Sequence, residues 1–112
     1  LRTITDGIAG PNAFAVDPAG TLYVGNTGDP SASGWISVYA PGSSSPAYEI
    51  SSGINDPVAL ALDGDDNLYV ANGAYGHQGS VTVYAPNTQQ PVHSVESGKY
   101  GPPVALALGP QY

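Results

Sequence analysis

The pentapeptide Leu68-Tyr69-Val70-Ala71-Asn72 echoes Leu22-Tyr23-Val24-Gly25-Asn26 at a spacing of 46 residues. The spacing persists: Pro57-Val58-Ala59-Leu60-Ala61-Leu62 returns letter for letter as Pro103-Val104-Ala105-Leu106-Ala107-Leu108, and Pro11 opens the same segment one period earlier. A period in the forties belongs to a propeller blade or a solenoid unit, whose apolar faces are buried only against neighbouring units. A third echo, Val38-Tyr39-Ala40-Pro41 with Val83-Tyr84-Ala85-Pro86, is spaced by 45, so one residue is lost in a loop and regained before Pro103. Drift confined to loops marks a structural repeat, because connections absorb length changes that strands do not.

Between short β-rich runs stand 15 Gly and 11 Pro, and no stretch carries a helical apolar period over three turns. The chain therefore reads as all-β, with four strands per period. The first covers residues 13–17, with 58–62 and 104–108 as its repeats. Small residues (Ala13, Ala15, Ala59, Ala61) alternate there with larger ones (Phe14, Val16, Leu60, Leu62), which suits an innermost strand that neighbouring backbones approach closely. The second, 22–25 and 68–71, follows a tight turn made by Asp17-Pro18-Ala19-Gly20 in one copy and Asp63-Gly64-Asp65-Asp66 in the other. The third, 35–39 and 80–84, sends Ile36, Val38, Val81 and Val83 one way and Ser37, Tyr39, Thr82 and Tyr84 the other, and Pro41 and Pro86 end it. A more polar fourth strand, 47–51 and 92–96 with 1–5 as an earlier copy, suits an outer edge. Each period is thus expected to be a four-stranded antiparallel meander.

This pattern resembles the NHL-type repeat of six-bladed β-propellers, through Pro57-Val58-Ala59-Leu60-Ala61-Leu62-Asp63, Asn67-Leu68-Tyr69-Val70-Ala71-Asn72 and Val81-Thr82-Val83-Tyr84. The first copy matches with Pro11, Phe14-Ala15-Val16-Asp17, Gly20, Leu22-Tyr23-Val24 and Asn26, although the Asn-His-Leu tripeptide that names the family is absent. The resemblance implies β-propeller blades, about two and a half of them: 1–10 as the outer strand of a preceding blade and a linker, 11–53 and 54–99 as full blades, and 100–112 as the inner strand of a third. It implies no single activity, since such propellers serve as binding scaffolds, lectin-like modules and enzymes. Two and a half blades cannot close a circle, and open blade faces leave apolar area in water at roughly 25 cal/mol per Å². Further blades or other copies of the chain are the expected partners.

Charge narrows the remaining partners. Nine Asp and Glu stand against only Arg2 and Lys99, a net charge of -7. Phosphate backbones need clustered Lys and Arg, so nucleic acid is not an expected partner. No apolar run approaches the roughly 18 residues of a membrane span, so no membrane insertion is expected. Cysteine is absent, which removes disulfide and thiolate chemistry. The missing initiator Met points to a processed product or a fragment. Scarce Lys with abundant Ser, Thr, Gly and Pro favours an extracellular or cell-surface location.

Few residues invite chemistry. Asp63, Asp65 and Asn67 alternate oxygen-bearing side chains as a calcium loop does, but the first copy keeps the turn and loses the carboxylates, so a hairpin turn is the better reading. His77 and His93 stand without a zinc ligand set, and no Gly-x-Ser-x-Gly elbow occurs. No catalytic residue and no cofactor is expected. The loops that join strand two to three, and one meander to the next, emerge at one end of the sheets and collect Asp29, Trp35, Tyr75, His77, Gln78, Lys99 and Tyr100. Aromatic rings beside hydrogen-bonding groups suit carbohydrate or peptide ligands. The expected function is a non-enzymatic binding or assembly module. Its rivals are a subunit that polymerises into a ring or filament, and a piece of a propeller enzyme such as a lactone hydrolase or lyase.

Overall fold

The structure is a computed structural model that describes residues 3–28, 33–73 and 79–96. These form eight strands and no helix: β1 (Pro11–Val16), β2 (Leu22–Asn26), β3 (Trp35–Tyr39), β4 (Tyr48–Ile50), β5 (Pro57–Leu62), β6 (Leu68–Asn72), β7 (Ser80–Tyr84) and β8 (His93–Glu96). They make two separate four-stranded sheets, β1-β2-β3-β4 and β5-β6-β7-β8, in which every pair is antiparallel. Each 46-residue period therefore yields one meander, and the two sheets do not close into a ring. The inner strand expected at 104–108 lies outside the described residues.

The same local chemistry builds both sheets. In the first β-turn, the Gly20 N–H donates to the Asp17 carbonyl at 3.0 Å and the Thr21 N–H to Asp17 Oδ1 at 2.9 Å. In the second, Asp66 and Asn67 repeat those bonds to Asp63 at 3.1 and 2.9 Å. The inner strands begin two residues before the alternating run starts, at Pro11 and Pro57, because a bulge at Asn12 and at Val58 interrupts the register. A bulge is one of the few places in a sheet where a proline's missing N–H costs no ladder bond.

The expected early outer strand at 1–5 is not found in its described part: residues 3–5 join neither sheet. In the repeat they match β4, which pairs with the third strand of its own unit, and no described strand precedes them to play that part. The following residues fasten instead to the first sheet. The Tyr39 hydroxyl donates to the Asp6 carbonyl at 2.7 Å and the Ala9 N–H to Asn26 Oδ1 at 3.0 Å. One period on, Tyr84 donates to the Ser52 carbonyl at 2.7 Å and the Asn55 N–H to Asn72 Oδ1 at 2.8 Å. The connection leaving β4 is thus tied to the sheet that follows it, and the boundary expected between 53 and 54 falls inside this tie.

Paired residues share a face. One face of the first sheet, its back, carries Ala13, Ala15, Tyr23, Gly25, Ile36, Val38, Tyr48 and Ile50. The front of the second sheet carries Leu60, Leu62, Leu68, Val70, Thr82 and Tyr84. The core cluster joins these two faces, with Tyr23, Ile36, Val38 and Ile50 meeting Leu68, Val70 and Tyr84, while Leu60 and Leu62 pack on its margin. The sheets stack back to front, with β5 lying against β1 and β2. Small residues make the approach possible: a Cβ on Gly25 would sit 3.4 Å from Pro57 Cβ. Gly34, at φ 84°, has no room for a side chain beside the Asn26 carbonyl.

Candidate functional site

The front of the first sheet is the repeat counterpart of the covered front of the second. Phe14, Val16, Leu22, Val24, Ser37 and Tyr39 occupy the positions of Leu60, Leu62, Leu68, Val70, Thr82 and Tyr84. In the second sheet this face is the core; in the first, Phe14 is 72% and Val16 54% exposed. The face holds an apolar groove of about 510 Å³ between Ile4, Ile8, Pro11, Phe14, Leu22 and Val24. Among the described residues no charged side chain lines it. Half of the face is already closed by the chain's own connection, since Tyr39, Ser37 and Trp35 donate to the carbonyls of Asp6 and Gly7.

Asn26 and Asn72 anchor that connection in each sheet, and both are buried. Asn26 Nδ2 donates to the Val24 and Trp35 carbonyls and to Ser37 Oγ; Asn72 Nδ2 donates to the Val70 carbonyl, Ser80 Oγ and Thr82 Oγ1. A buried amide with both ends satisfied holds backbone together across elements, and one left unsatisfied is costly. Sequence reasoning quoted both residues as repeat markers and missed their work. The available signal was a polar residue kept at the end of an otherwise apolar strand.

A second feature lies at the seam of the two sheets, a cavity of about 270 Å³ bordered by Asp17, Thr21, Tyr23, Tyr48, Asp66 and Asn87. Burial, then the charges of Tyr48, Asp17 and Asp66, push the Tyr23 phenol up to about 12. Desolvation and the adjoining Asp17 carboxyl, which hydrogen-bonds with it, raise Asp66 above the ordinary carboxylate value.

The residues singled out for ligands are unevenly placed. Asp29, Tyr75, His77, Gln78, Lys99 and Tyr100 lie outside the described residues. Trp35 opens β3, half-buried, at the end of the sheet where the Gly7 connection also runs, as the loop geometry predicts. Its indole N–H donates to the Gly7 carbonyl at 3.2 Å and to Ser37 Oγ at 3.1 Å, so its polar edge is engaged within the fold. Asp63, Asp65 and Asn67 form the β5–β6 turn. Asp63 Oδ1 accepts from the N–H groups of Asp65 and Asn67, and Oδ2 from Asn67 Nδ2 and the Tyr69 hydroxyl. Burial alone would raise the Asp63 pKa; the bonds from Asn67, Asp65 and Tyr69 outweigh it and hold the carboxyl below its ordinary value. Among the described residues no group of three or more His, Asp or Glu is arranged to hold a metal ion.

Comparison with protein-family models, curated proteins and solved structures returned no match for this chain.

Proposed function

We propose that this chain is a segment of a β-propeller-like scaffold of NHL type that works by assembly and binding, with no chemistry of its own. The observation that carries the reading is the back-to-front packing of two repeat-related sheets, which leaves an unfilled front face of the kind that the second sheet buries. Sheets that pack through unlike faces extend by adding further sheets, and a contiguous exposed apolar face marks a site of association. The commitment of the buried Asn26 and Asn72, and of the turn carboxylate Asp63, to internal hydrogen bonds supports a structural role for them. The binding half of the proposal assigns carbohydrate or peptide contact to Asp29, Trp35, Tyr75, His77, Gln78 and Tyr100.

Sedimentation and negative-stain microscopy of the purified chain test the assembly half. Particles larger than one 11.3 kDa chain, seen as rings or filaments, are expected. A well-folded monomer at tens of micromolar overturns it. For the binding half, a glycan and peptide panel read with Tyr75→Ala should lose its hits, and unchanged hits remove that loop from the proposal.

A further inference from the structure

We infer that the cavity at the seam of the two sheets binds a primary ammonium group of the lysine side-chain type, held by Asp17, Asp66 and Tyr23. The site lies at the end of the sheets that carries the β1–β2 and β5–β6 turns, opposite the end where Trp35 stands, and it does not depend on assembly.

Two buried polar groups of this cavity are left short of partners. Asp17 is 8% exposed, yet among the described residues its carboxylate accepts a single backbone bond, from the Thr21 N–H to Oδ1 at 2.9 Å, and otherwise faces Asp66. Its repeat counterpart shows what full satisfaction takes: Asp63 accepts from two backbone N–H groups, the Asn67 amide and the Tyr69 hydroxyl. In the first copy Thr21 stands in place of Asn67, which removes the amide donor. Tyr23 stands where Tyr69 does, is 6% exposed and borders the cavity, but its hydroxyl makes no hydrogen bond among the described residues. Buried polar groups are almost always hydrogen-bonded, so a pair left open around one cavity is a place for a ligand that supplies donors.

The surroundings select a cation. Desolvation, then Asp17 and the more distant Asp63 and Asp65, hold the Asp66 carboxyl above its ordinary value, and burial followed by Tyr48, Asp17 and Asp66 pushes the Tyr23 phenol up to about 12. A positive charge set among these groups relieves them. An ammonium has three N–H donors and no acceptor, which answers the two carboxylates and the Tyr23 oxygen. The Tyr23 and Tyr48 rings border the same space, and aromatic rings attract such a cation. Calcium would want about six to eight oxygen ligands, whereas among the described residues no three His, Asp or Glu gather to hold a metal ion. The cavity of about 270 Å³ also offers Val38, Pro41 and Ala47 to the alkyl part of an amine.

NMR titration of the chain with n-butylammonium chloride, and with lysine whose α-amino and α-carboxyl groups are blocked, tests the site at constant ionic strength. Both probes are expected to bind with a Kd of about 10 mM or below, shifting the resonances of Asp17, Tyr23 and Asp66. Asp66→Asn keeps a side chain suited to φ 64° and should weaken binding about tenfold or more, while Tyr23→Phe gives up no described bond and should weaken it about threefold. Circular dichroism confirms that both retain the fold. Asp65→Asn removes an equal charge from the same turn, at an exposed residue that does not border the cavity, and should change Kd by less than about twofold. Tighter binding of the blocked lysine assigns the site to a polypeptide side chain and equal binding to a free amine, and either result upholds it. No shift by about 50 mM probe, equal losses from Asp65→Asn and Asp66→Asn, or unchanged binding in Tyr23→Phe and Asp66→Asn overturns it. Calcium chloride that binds more tightly than either probe, and loses that binding in Asp66→Asn, gives the cavity to a metal ion and overturns it as well.

Discussion

Where the first sheet and its turns place Gly10, Gly20 and Gly42, the second places Asp56, Asp66 and Asn87, and all six sit in the left-handed region. The glycines have φ of 61°, 99° and 79°; their counterparts have 59°, 64° and 62°. Aspartate and asparagine are the side chains that tolerate this region best, so the second unit keeps the backbone of the first at a modest energetic cost. The demand belongs to the turn, and the residue answers it. The same pair of sheets differs more deeply in surroundings. Equivalent front faces are core throughout in one sheet and open at Phe14 and Val16 in the other, so a residue's contribution depends on what lies opposite as much as on its place in the meander.

The largest expected break in the equivalence is at Leu68 and Leu22. Leu68 is 2% exposed, and Leu68→Ala should cost about 2–5 kcal/mol in urea unfolding. Leu22→Ala, at the half-buried equivalent, should cost well under half of that when both are measured in the Phe14→Lys background, where association cannot mask the difference. Equal losses would mean that the first front is already filled. The buried amides should behave alike instead: Asn26→Ala and Asn72→Ala should each cost about 1–3 kcal/mol, since each strands one N–H of the connection and several groups of its own sheet. Smaller still, Gly10→Ala should cost about 1–2 kcal/mol, because it forces an L-residue into the left-handed region beside Thr27 Oγ1. Asp56→Gly should fall within about 0.5 kcal/mol of zero.

The finest contrast is electrostatic. Asp66 stands where the first turn has Gly20, and its carboxyl is raised above 3.8 by desolvation and Asp17. The folded chain therefore holds that proton to higher pH than the unfolded chain does. Its stabilising contribution is present in full below the ordinary value and is lost as pH rises through the raised one. Asp66→Asn keeps a side chain suited to the turn and removes that loss. The Tm difference between variant and wild type should be near zero in acid and grow more positive toward neutral pH. Asp63, with its lowered pKa, acts in the opposite sense, but it is common to both proteins and cancels in the difference.

Strand positions were legible because the repeat reports every strand twice. The expected 35–39 and 80–84 coincide with β3 and β7, and the early starts of β1 and β5 are explained by bulges that the letters do not announce. Which face meets which was not legible. Ile36 and Val38 on one side of β3, and Ser37 and Tyr39 on the other, are all buried, so alternation there carries no inward or outward sense. The meeting of Asp17 with Asp66 was equally hidden, since it depends on how two sheets stack and not on anything within either turn. The ligand residues proposed from the loops were chosen for being unlike the repeat, and Trp35 shows one such residue recruited to hydrogen-bond the connection.

The tie between each connection and the sheet after it bears on how this chain can be re-engineered. A cassette spliced after Ile50 carries Ser52 and Asn55 along with the Tyr84 and Asn72 that grip them. A cassette spliced at residue 54 leaves Ser52 with the donor, and the graft arrives with the Tyr84 hydroxyl missing its acceptor. Concatenating 51–96 is therefore the sounder route to longer arrays.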